Sequence, residues 1–120
     1  MYLRFVGCML LASAAMPAET RTGFLVDSQC YTSQEQNARQ VDIDTNHDRD
    51  FEIRQCAPAA KSRSFAIVTR DGISYKLDPA ANSRVVALLQ SSSAKRPIEV
   101  TVEGSKSGNV LTVDSIRLNR

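Results

Sequence analysis

The chain reads as a mainly β domain: a small barrel of five strands, with one helix between the third and fourth. Three observations predict it. Strand-length segments recur from Thr22 to Leu118. An Asp-Gly pair, Asp71-Gly72, joins two of them. One stretch around Val85 switches to helical period.

The chain opens with a different kind of sequence. Met1 to Arg4 carries one positive charge, and Phe5 to Met16 is an apolar, small-residue run. Pro17-Ala18 then leads into the polar Glu19-Thr20-Arg21. This is the layout of a secretory signal peptide over residues 1–18. The run is too short for a spanning helix, which needs roughly 20 apolar residues. Ala12 and Ala14 satisfy the small-residue rule for cleavage after Ala14, whereas cleavage after Ala18 removes the whole run. Most of the apolar run follows Cys8, the reverse of a lipid-attachment order. The expectation is one mature domain, 19–120, in the bacterial periplasm or outside the cell, with no transmembrane segment after cleavage.

Thr22 to Asp27 reads as the first strand, with Phe24 and Val26 on one face and Leu25 on the other. Residues 31–63 lack strand alternation and are rich in Gln, Asn, Asp and Arg. They read as an irregular insertion with short helices at Ser33–Val41 and Phe51–Cys56, the first capped by Ser33 with Gln36 completing a capping box. Ser64–Arg70 is the second strand and Ile73–Leu77 the third, with Ile73, Tyr75 and Leu77 in one phase. The Asp71-Gly72 turn between them is a strong hairpin signal. Over Ala80–Ser91, Val85, Leu88 and Leu89 form a helical stripe, with Asp78 or Asn82 as the cap. In Pro97–Glu103, Ile98, Val100 and Val102 face inward, while Glu99, Thr101 and Glu103 face outward. Gly104 to Gly108 reads as a polar turn. In the last strand, Asn109–Leu118, the apolar phase slips between Val113 and Ile116, which predicts a β-bulge near Asp114-Ser115. Five strands with a helix between the third and fourth make an OB-fold-like barrel.

Removing Cys8 with the leader leaves Cys30 and Cys56. In an oxidising compartment an even pair reads as one disulfide, here tying the insertion back to the body. The spacing is far from Cys-x-x-Cys, and only His47 offers a third soft ligand for zinc.

A set of motifs runs through the chain: Gly23-Phe24-Leu25-Val26-Asp27-Ser28-Gln29-Cys30, the second cysteine, Phe65-Ala66-Ile67-Val68, Asp71-Gly72 and Tyr75-Lys76-Leu77-Asp78. Ile98-Glu99-Val100-Thr101-Val102-Glu103-Gly104 and Leu111-Thr112-Val113-Asp114-Ser115-Ile116 complete it. Together, over most of residues 22–118, they resemble a family of small exported bacterial domains of unknown function with OB-like barrels. The resemblance implies fold and compartment and no activity. Family members often carry His soon after the first Cys, where this chain has Tyr31-Thr32-Ser33.

Charge separates the two halves. Residues 21–60 carry seven acids and four bases, and residues 61–120 five acids and ten bases. After the leader the totals nearly balance, fourteen bases against thirteen acids, so no general pull toward nucleic acid or membrane follows.

Three constellations bear on function. Asp42, Asp44, Asn46, Asp48 and Asp50 place oxygen ligands at alternate positions, as calcium loops do. His47 stands where such a loop needs Gly, and Ile53 where it needs a bidentate Glu. Arg63, Arg70, Tyr75 and Lys76 lie on or beside strands two and three, the face where OB-type barrels bind oligonucleotides or oligosaccharides. The chain has no Trp and few stacking aromatics, which argues against nucleic acid. His47, the only histidine, has no nucleophile beside it, so a hydrolase is a remote alternative. Asp27 reads as a turn cap. The expected function is a non-catalytic binding module for a glycan, peptide or protein, with no cofactor. A calcium-binding structural or stress-related periplasmic domain is the alternative.

Overall fold

The computed structural model describes residues 18–38, 45–92 and 96–119. The leader expected over 1–18 lies outside them except for Ala18. In chain order the elements are β1 (Glu19–Asp27), α1 (Ser28–Ala38), α2 (Thr45–Gln55), β2 (Phe65–Thr69) and β3 (Ser74–Leu77). Then come α3 (Pro79–Gln90), β4 (Glu99–Ser107) and β5 (Val110–Leu118).

The strands close a barrel in the order β1-β2-β3-β5-β4. β1 pairs antiparallel with both β2 and β4. β3 and β5 run parallel, meeting at Lys76↔Val110 and Leu77↔Leu111. This is the five-stranded OB-like architecture, with α3 in the expected place between β3 and β4.

The strand alternation explains the core. Leu25, Phe65, Ile67, Leu77, Ile98, Val100, Val102, Leu111 and Val113 fill the barrel, joined by Ala81 and Val85 of α3. Full burial of each large apolar side chain stabilises the fold by about 1.5–3 kcal/mol. One barrel end is therefore plugged by α3. The other is where β1 begins and where the β2–β3 and β4–β5 hairpins turn.

β2 and the end of β1 at Leu25-Val26 are buried on both faces. Val26, Ala66 and Val68 point outward and pack under Tyr31, Ile53 and Cys56 from the α1–α2 insertion. Cys30 and Cys56 form the expected disulfide. The Asp71-Gly72 turn is also present, with Gly72 at φ +87° and its N–H donating to Thr69 O. The bulge falls where the apolar phase slips: Glu103 faces Ser115 and Gly104 faces Val113, leaving Asp114 as the extra residue.

Several expectations are corrected. The insertion holds the two expected helices with other bounds, and with α3 they make three among the described residues. α1 starts at Ser28, not Ser33, because the Asp27 carboxylate caps it, Oδ1 accepting from the N–H groups of Gln29 and Cys30. Ser33 and Gln36 lie inside that helix and form no capping box. α2 starts at Thr45 rather than Phe51. β1 extends back to Glu19, because Glu19–Arg21 pair with Gly104–Val102.

β4 continues through Ser107, since Ser105–Ser107 pair with Thr112–Val110, so the turn shrinks to Gly108-Asn109. Neither expected side-chain cap of α3 caps it. Asp78 Oδ1 accepts from Val113 N–H and Asn82 Oδ1 from Phe65 N–H, so both tie the helix to strands. Its buried stripe is Ala81 and Val85, with Val86 and Leu89 beside it; Leu88 stays outside. Thr101 is buried, not outward in solvent, covered through hydrogen bonds with Thr22 and Asn119.

Candidate functional site

The polar group held most unusually is Arg21. On β1, Glu19, Arg21, Gly23 and Leu25 share one face by alternation. Leu25 belongs to the barrel core, so Arg21 enters the barrel near the end opposite α3. On β3 the same rule sets Tyr75 in phase with buried Leu77, and its ring packs against the core. The two meet: the Arg21 guanidinium carbon lies 4.9 Å from the Tyr75 ring centroid.

The Arg21 side chain is only 13% exposed. Its Nη2 donates to Glu19 Oε1 at 2.6 Å. Its Nη1 is buried and finds no acceptor among the described residues. Glu19 is 62% exposed, so the one carboxylate balancing this cation sits in solvent. Desolvating a charge costs several kcal/mol unless hydrogen bonds compensate. The ring face returns about 0.5–2 kcal/mol of that. Nη1 remains without an acceptor among the described residues.

The four residues expected as a ligand surface are not brought together. Arg63 donates from Nη1 to the carbonyls of Ala60 and Ser62, at the start of β2. Arg70, past the other end of β2, reaches Glu99 at 3.7 Å, and its own carbonyl accepts from Arg49 Nη2. Lys76 is exposed on β3. Tyr75 faces the barrel interior beneath Arg21. Sequence reading missed Arg21 because its strand began at Thr22. The signal was there: Arg21 is in phase with Leu25.

The outer face of β2 is also occupied. Ala66 and Val68 are covered by the insertion. An oligonucleotide seeking the outer face of β2 would meet the insertion instead.

In the acidic ladder, Asp42 and Asp44 lie outside the described residues, while Asn46, His47, Asp48 and Asp50 lie on α2. A helix over this stretch is not the loop that such alternate ligands require. Among the described residues no group of three or more His, Cys, Asp or Glu side chains is placed to hold a metal.

Asp27 does more than cap. Its Oδ2 accepts from Ser62 Oγ at 2.6 Å, and Ser62 Oγ in turn accepts from Ala59 N–H. Ser28 and Ser64 share a 2.8 Å hydroxyl contact beside it. Under the insertion, burial holds the Tyr31 hydroxyl far above its usual range of titration, with the Glu35 and Glu52 carboxylates adding to the effect and Arg49 opposing it.

No helix among the described residues is long and apolar enough to cross a membrane. Comparison with protein-family models, curated proteins and solved structures finds no match to this chain.

Proposed function

We propose that this chain is an exported, non-catalytic binding module whose barrel end at Arg21 receives a group of a glycan, peptide or protein. The observation that carries the reading is Arg21: a nearly buried guanidinium, stacked on Tyr75, with one nitrogen lacking an acceptor. Buried donors in folded proteins are paired, and an orphan marks a place where a partner belongs.

Other features support the reading. The Cys30–Cys56 disulfide suits an oxidising compartment, as does the leader-like start. The closed barrel and the tied insertion form a rigid frame, which lowers the ordering cost of binding. The acid–hydroxyl pair Asp27–Ser62 is engaged in capping and turn formation. This reading places the chain among the small exported bacterial OB-like domains that it resembles.

The test is nuclear magnetic resonance titration of the exported, isotope-labelled protein with its disulfide intact. The probes are neutral disaccharides, acidic disaccharides and short peptides. The expected result is saturable shift change at Arg21, Tyr75 and the two hairpins at that end, with every probe recovered unchanged. Chemical conversion of a probe, or saturable binding confined to the α3 end, would overturn it.

A further inference from the structure

We infer that the mouth of the barrel is a carboxylate-binding site, in which Arg21 is the anchor and Glu19 is a built-in competitor that a ligand carboxylate displaces. This rests on the binding-module reading above and names the chemistry that the module recognises.

The argument starts from the shape of the guanidinium. It offers five N–H donors in a planar fork, and a carboxylate satisfies two of its nitrogens at once when it approaches side-on. Glu19 does not do this. It reaches Nη2 through Oε1 alone, while Nη1 stays buried without an acceptor. Geometry explains the shortfall. Glu19 is two residues from Arg21 on the same strand, so its carboxylate arrives from along the strand. A carboxylate on a separate molecule has no such tether: it takes Nη2 from Glu19 and reaches the buried Nη1 only as the Glu19 side chain swings away.

The displaced group is free to leave. Glu19 is the first residue of β1 and its side chain is 62% exposed, so release returns it to water at small cost. Arg21 is held from the other side. The Tyr75 ring lies 4.9 Å from the guanidinium carbon, and a side chain already packed in place loses less entropy when its hydrogen bonds form.

The balance of charge selects the ligand class. The group already paired with Arg21 is a single carboxylate, a monoanion, and no other cation is in contact with the pair among the described residues. A phosphate dianion would bring about one further negative charge with no partner. The site therefore matches a monoanionic carboxylate. An acidic sugar and a peptide C-terminus both carry this group.

The test compares matched probes on the full exported protein: glucuronate against glucose, and N-acetylglycine against its amide, with inorganic phosphate as a third arm. Binding is read from the Tyr75 ring and Arg21 side-chain resonances. The expected result is that both carboxylates bind, that the neutral partners and phosphate bind at least about tenfold more weakly, and that the stronger carboxylate names the source. Glu19→Gln removes the competitor and should tighten carboxylate binding severalfold. Arg21→Lys keeps the charge, loses the fork and should weaken it about tenfold or more. Melting curves of both variants report folding separately.

Carboxylate affinity unchanged in Glu19→Gln would overturn the displacement. Equal binding of glucose and glucuronate at the mouth would overturn the carboxylate assignment while leaving a binding module. Saturable binding of these probes only at the α3 end would overturn the module reading as well.

Discussion

Ser62 Oγ donates to Asp27 Oδ2 at 2.6 Å, joining the two ends of the helical insertion across thirty-five positions. The other oxygen of the same carboxylate caps α1. One side chain thus ends β1, starts α1 and fastens the segment that returns to β2. Asp27→Ala should cost about 1–2 kcal/mol for the lost cap, with a further penalty for the stranded hydroxyl. A double-mutant cycle with Ser62→Ala, followed by urea unfolding, should show a coupling of at least about 0.5 kcal/mol. Strict additivity would mean the two groups act independently.

The Cys30–Cys56 bond closes a loop with a sequence separation of 26. The chain-entropy model assigns such a loop about 3.5 kcal/mol. Cys30→Ser with Cys56→Ser should lower stability by up to that amount. Hydrogen exchange should locate the loss in α1 and α2 first, because the barrel interior is a separate cluster. Uniform loosening of the barrel strands would contradict this order.

Gly104 sits opposite the bulge, and a Cβ there would stand 2.3 Å from the Thr112 carbonyl oxygen. Both neighbours at that point are backbone, so neither can swing away. Gly104→Ala should destabilise by about 1–3 kcal/mol, the range for overpacking. Thermal unfolding is the direct measurement, with Gly108→Ala, in an open turn, as its companion for positive-φ strain alone.

Tyr31 predicts the alkaline limit of the fold. Its hydroxyl titrates higher in the folded chain than the ordinary value of 10.0, chiefly because it is buried. The unfolded chain therefore loses this proton first as pH rises. The stabilisation is complete below pH 10 and falls away above it. Tyr31→Phe keeps the ring and removes the titration. Stability measured from pH 8 to 12 should fall less steeply in the variant.

The acidic ladder gives a negative expectation. From Thr45 onward the chain is helical, so positions 46, 48 and 50 do not lie on a loop of the kind that supplies calcium ligands at alternate positions. Millimolar calcium should leave the melting temperature of the native protein where magnesium leaves it. A calcium-specific rise would require this helix to give way to a loop on binding.

The sequence by itself determined the frame. Alternation placed Ile98, Val100 and Val102 inside, Asp71-Gly72 set the hairpin, and a one-residue phase slip marked the bulge at Asp114. Each of these signals is local: a period, a turn residue, a change of phase. A surviving pair of cysteines likewise left one intramolecular disulfide. Tertiary structure decided the rest, where the deciding partner is far away in the chain. Arg21 is polar and looked like part of a leader boundary, yet pairing with β4 carries it over the Tyr75 ring. Ser105–Ser107 have the composition of a turn and become strand because β5 supplies the hydrogen bonds. Asp78 and Asn82 have the chemistry of helix caps and are taken by strand amides instead. Polar side chains and backbone groups accept any partner of suitable geometry, so their roles are assigned only when folding brings one within reach.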